Sequence, residues 1–149
     1  MSKKFPATKS VKFILCEDVR MEAHQKLALL GVFPADSITV LGPKAPADGA
    51  GVAQLASLAI LVMLKDLEGS FDARLRITDP DGRFAFDEVM GKVELQSRSD
   101  ATLAWKAQGF VVPKFGVFRA DLILDDRSYP FEFEIIDGSV ARRDPTDSR

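Results

Sequence analysis

Val117-Phe-Arg-Ala-Asp-Leu-Ile-Leu124, Asp125-Asp-Arg-Ser128, Tyr129-Pro-Phe-Glu-Phe-Glu-Ile-Ile136 is the stretch on which the fold turns. Phe118, Ala120, Leu122 and Leu124 are set against Arg119 and Asp121, and Phe131, Phe133 and Ile135 against Glu132 and Glu134. A period of two puts successive side chains on opposite faces of a strand, so each segment has an apolar face and a charged one. The polar residues between them form a turn, because aspartate and serine side chains hydrogen-bond nearby backbone. Two amphipathic strands and a short turn make a hairpin, and Glu132 and Glu134, a pair of carboxylates that invites an acid–base reading, face solvent on it.

The same period runs upstream. Phe71 to Ile77 alternates apolar and charged residues, Asp79-Pro-Asp-Gly82 is a turn, and Arg83 to Phe86 leads out of it. Glu88 to Ser97 and Thr102 to Val112 are further strands, separated by Arg98-Ser-Asp-Ala101. Leu58 to Lys65 is an unbroken apolar run that a buried strand or a helix explains equally; the alternating segment after Asp66-Leu-Glu-Gly-Ser70 favours a strand, with 66–70 as a hairpin loop. Val11 to Leu15 reads as a central strand, 27–33 and 38–41 as shorter ones, and 51–57 leaves room for one short helix. Asp137-Gly138 is a last tight-turn signal. Six or more strands with regular turns and no helix-length pattern between them in the second half predict an all-β fold, an antiparallel β-sandwich. Residues 11–142 form the domain, 1–10 a flexible N-terminal arm and 143–149 a flexible tail.

Two stretches resemble known families. Cys16-Glu-Asp-Val-Arg20, Glu22 and Lys26-Leu-Ala-Leu-Leu-Gly-Val-Phe33 resemble the opening of an uncharacterised family of small bacterial proteins. Phe115 to Asp126 with Pro130 to Ile135 is similar to the last hairpin of immunoglobulin-like sandwich domains. Neither resemblance brings an activity, since one sandwich architecture hosts many functions. The first marks Asp18, Arg20 and Glu22 as its polar members and so as the partner-binding residues.

Composition narrows the classes. The 149 residues carry 20 basic and 22 acidic side chains, interspersed, so no basic face for a nucleic acid is visible beyond Lys3, Lys4, Lys9 and Lys12 near the N-terminus. One cysteine allows no internal disulfide, which points to a reducing, cytoplasmic setting. The longest apolar run, Leu58 to Leu64, is far shorter than the roughly 20 residues of a membrane-spanning helix, and no secretory signal is visible.

No spacing points to chemistry. His24 is the single histidine and stands among Glu17, Asp18, Arg20, Glu22 and Lys26 without a familiar ligand pattern, so no metal or other cofactor is expected. Cys16 follows Phe13-Ile-Leu15 and reads as a buried small residue, not a nucleophile. The aspartates at 79, 81, 125, 126 and 137 read as turn formers in preference to calcium ligands. Phe84, Phe86, Phe110 and Phe115 flank turns, where aromatics also line binding surfaces. The expected function is therefore non-enzymatic: a protein-interaction or assembly module, including self-association through an exposed strand edge guarded by Arg74, Arg76 and Lys92. The alternative is a small-molecule-binding sandwich with the 42–51 loop as its lid.

Overall fold

The computed structural model describes residues 3–42, 45–46 and 49–141. Seven strands are present: β1 (Val11–Met21), β2 (Leu27–Val32), β3 (Ser37–Val40), β4 (Ala53–Thr78), β5 (Phe84–Val112), β6 (Gly116–Leu124) and β7 (Arg127–Asp137), followed by a single helical turn, α1 (Gly138–Ala141). They form one hydrogen-bonded sheet in the order β2-β1-β4-β6-β7-β3, with β5 on the other side of β4. The fold is all-β and sandwich-like, as the period of two required.

The hairpin loop expected at 66–70 and the break at 98–101 are corrected. Both lie inside strands: β4 runs for 26 residues and β5 for 29, and the two pair from Ala53↔Val112 to Thr78↔Phe84. Leu58–Lys65 and Phe71–Ile77 are thus successive halves of one strand. The register slips between Leu64 and Gly69, and such bulges bend a strand and let it pass from one layer to another. The first half of β4 pairs with β1 through Val11↔Leu64 to Cys16↔Ala59, and the second half with β6 through Ala73↔Leu124 to Thr78↔Arg119. Immunoglobulin-type sandwiches have two separate sheets; here the bent β4–β5 ribbon belongs to both layers. The antiparallel expectation holds except at β3, which pairs with β7 in parallel.

The layers close on one core. Phe13 of β1 stacks on Phe131 of β7 at 4.9 Å although the two strands are not neighbours, and Phe110 meets Phe118, which stacks on Phe133. Leu58, Ile60, Val62 and Leu64 face this core, while Ala59 and Leu61 face a second cluster with Cys16 and Val19. Burial on both faces explains the unbroken apolar run. Phe86 and Phe110 turn their edges or faces to Trp105, whose indole N–H is buried without a hydrogen-bond partner.

The bend is pinned by Asp66, in left-handed backbone at φ 61°. Its carboxylate takes Arg98 Nε and a terminal guanidinium nitrogen at 2.7 and 2.8 Å and Lys4 Nζ at 2.5 Å, and its N–H donates to Asp100. Arg98 first, then Lys4, holds the Asp66 carboxyl far below the usual range.

Residues 3–10 of the expected N-terminal arm lie along β4 and β7. Between Leu64, opposite the start of β1, and Ala73, opposite the end of β6, β4 has no described strand neighbour on that side, and the N-terminal segment fills the gap. Lys4 and Glu68 exchange both backbone hydrogen bonds, Phe5 packs edge-on against Phe71 at 5.0 Å, and the buried Tyr129 hydroxyl donates to Pro6 O at 2.7 Å. Thr8–Ser10 is a 3-10 turn leading into β1. The expected tail at 143–149 lies outside the described residues, as do positions 43, 44, 47 and 48 of the 42–51 loop.

Candidate functional site

β1 leaves β4 at Cys16. Beyond it the side-chain parity changes, so that Val19, like Cys16, joins the second cluster with Ala59 and Leu61. The Cys16 thiol contacts Asp18 O at 3.5 Å, and the β1–β2 hairpin continues as a regular antiparallel pair to Met21↔Leu27. This curl carries Asp18 to β5. Asp18 Oδ1 lies 3.3 Å from Lys106 Nζ and accepts from its neighbour Val19 N at 2.9 Å; Oδ2 accepts from Arg20 Nε at 3.2 Å; and Lys106 Nζ donates to Val19 O at 3.1 Å. Asp18 and Arg20 are therefore together, while Glu22 lies at the hairpin turn, where its N–H donates to Lys26 O. Lys106 is the member that sequence reasoning missed. It sits 88 positions from Asp18, and a single lysine on an alternating strand carries no signal.

Arg20 chiefly, with Lys106 and the Val19 N–H, lowers the Asp18 carboxyl below its ordinary value. A depressed carboxylate stabilises the fold above its ordinary pKa, and that contribution is lost as pH falls through the folded value. The contact to Lys106 is accordingly expected to persist through the ordinary carboxylate range and to release only below it. A carbon-detected NMR titration of the Asp18 carboxyl checks this; a midpoint at the ordinary value, or one unmoved by Lys106→Met, would contradict it.

Other candidates resolve as structure. Cys16 is fully buried and burial pushes its thiol up, against a nucleophilic role, and His24 is exposed in the Ala23–Gln25 turn. Asp79 Oδ1 accepts from Asp81 N and Arg83 N, and Asp125 Oδ1 from Asp72 N, which is turn and corner chemistry. Among the described residues no three His, Cys, Asp or Glu side chains converge as metal ligands. No described helix is long and apolar enough to cross a membrane. Of the four turn-flanking phenylalanines, Phe110 is buried, Phe86 and Phe115 pack against the core, and Phe84 alone is largely exposed, 4.5 Å beneath the Arg76 guanidinium.

The strand edges are the remaining feature. Among the described residues β2, β3 and β5 each have one strand neighbour, and β5 is by far the longest of the three. Arg74 and Arg76, expected as edge guards, are on the interior strand β4 and both meet Asp87; Lys92 is on β5. Over Ala101 to Val112 the only charge is Lys106, whose ammonium is drawn across the sheet to Asp18 and Val19.

The sequence profile of the DUF6941 family, a family of unknown function, matches residues 12–131, and the chain belongs to that family. No curated protein sequence matches it. Among solved structures, a β-glucosidase from Listeria innocua in complex with gluconolactone is similar over 85% of this chain at 15% identity and a TM-score of 0.40; the chain spans 16% of that protein, and a likeness at this level carries no argument.

Proposed function

We propose that the protein is an assembly module that pairs with a second copy of itself along the free edge of β5. The observation that supports this is the unpaired edge from Ala101 to Val112, with its one charge tied to Asp18. A strand edge offers a row of unpaired N–H and C=O groups to another strand, and charged side chains are the common guard against such pairing. Here the guard is withdrawn. Two β5 edges brought together antiparallel about a two-fold axis satisfy each other, which gives a closed dimer rather than a growing fibre. Asp18 and Arg20 serve this edge by holding Lys106, in place of direct partner contact.

Thr102 and Ala104 are exposed on β5 and point to the same face as Lys106. The Thr102→Lys/Ala104→Lys variant restores a guard without touching the core. Light scattering across a concentration series is expected to show a concentration-dependent dimer for the wild type and a dissociation constant raised by about tenfold or more in the variant, the equivalent of about 1.4 kcal/mol. A wild-type chain that stays monomeric throughout would remove the proposal. No described residue of 42–51 lines the cleft of about 610 Å³ on the outer face, so that cleft gives the lid reading no support.

A further inference from the structure

A depression lies on the outer face of the second layer, apart from the β5 edge proposed above. The register of β4 and β5 slips between Ala73 and Arg74: Asp72 faces Lys92, Ala73 faces Gly91, and Arg74 faces Val89, so Met90 is the extra residue of a bulge. Gly91 holds φ +111°, a backbone state that side chains disfavour, and a Cβ there would meet nothing within 4 Å. A glycine at a bulge with open space above it marks a place where another group approaches the backbone closely. The depression has a volume of about 610 Å³, within the usual range for small-molecule sites.

Its walls differ in chemistry. Val89, Ala73 and Ile123 supply an apolar side, and Val89 is 64% exposed. The charged side sets Arg74, Arg76 and Lys92 against Asp87 and Asp72, the latter opposite Lys92 in the register, so one positive charge is left over. Arg74 and Arg76 share the single carboxylate of Asp87, at 3.2 and 3.4 Å, Arg74 through Nε. Lys92 has no ion-pair partner among the described residues. At the far end, Asp125 is satisfied by Lys3 Nζ at 2.6 Å and by Asp72 N at 2.9 Å. The guanidinium of Arg74 and the ammonium of Lys92 lie on one face beside the apolar wall. A planar fork of N–H donors matches a carboxylate or phosphate, and charge-assisted hydrogen bonds are the stronger kind.

We infer that this depression binds a small organic anion, its carboxylate or phosphate between Arg74 and Lys92 and a short apolar body against Val89 and Ile123. The test uses the full chain, hexanoate as an apolar-bodied anion and inorganic phosphate as a bare one, followed by amide chemical shifts of 72–76, 89–92 and 123–125. Hexanoate is expected to shift these amides saturably and more tightly than phosphate. Arg74→Gln/Lys92→Gln is expected to weaken hexanoate by about tenfold or more, the scale of losing charge-assisted hydrogen bonds. Arg74 is 45% exposed, and circular dichroism with a melting curve confirms that the variant is folded. Val89→Ser, a milder change, is expected to weaken hexanoate and leave phosphate as it was. No saturable shift with hexanoate, equal binding of both anions, or an undiminished response in the folded double variant would each overturn the site.

Discussion

Replacing Phe71 by alanine is expected to lower the unfolding free energy by about 3–5 kcal/mol, the range for deleting a buried aromatic ring. Phe71 is fully buried just past the bend of β4, opposite Val93 of β5, and Phe5 packs edge-on against it. Lys3 Nζ lies 5.4 Å from its ring centre. The lost ring leaves a cavity beside Phe5, which the paired backbones of β4 and β5 can close only in part. For a chain of this size such a loss lowers the melting temperature by about 10 °C or more. Chemical denaturation with an unchanged m-value is the measurement. A loss below about 1 kcal/mol would show that the bend does not depend on this ring.

The second large effect separates the docked segment from a frayed arm. Deleting residues 1–6 is expected to cost about 2–4 kcal/mol, assembled from an aromatic contact and a buried hydroxyl left without its acceptor. The deletion removes Phe5 from Phe71 and from Arg127, whose guanidinium lies 4.0 Å from the Phe5 ring centre, and removes the Pro6 carbonyl from Tyr129. It also ends the paired backbone bonds between Lys4 and Glu68, exposing a new stretch of β4 edge. Tyr129→Phe alone should cost about 1 kcal/mol, and in the truncated chain it should cost less, because its hydroxyl has already lost its partner. An arm that frays would give no loss on truncation and equal costs for Tyr129→Phe in both backgrounds.

The pH, edge and anion experiments bear on separate groups: Asp18 with Lys106, Thr102 with Ala104, and Arg74 with Lys92. Asp18 connects the first two. Its ionised carboxylate lies 3.3 Å from Lys106, so on the proposed pairing Asp18→Asn and a pH below its folded value are expected to act in the same direction on self-association.

Local chemistry in the sequence determined the β class, the 79–82 turn and the final hairpin, whose turn is Asp125-Asp126, two residues shorter than the polar stretch 125–128 suggests. Each follows from side-chain period or turn preference, which depend on residues a few positions apart. Asp66 to Ser70 and Arg98 to Ala101 were ambiguous for the same reason. Glycine and short polar residues suit a hairpin loop and a bulged bend alike, and only the pairing of Leu64 with Ala101 and of Gly69 with Leu95 decides that the strands run through. The docking of Lys3 to Pro6 and the meeting of Asp18 with Lys106 were likewise set by tertiary structure. One amphipathic strand pairs about as well with many others, so partners distant in the chain are fixed by how the whole sheet bends and what gap it leaves.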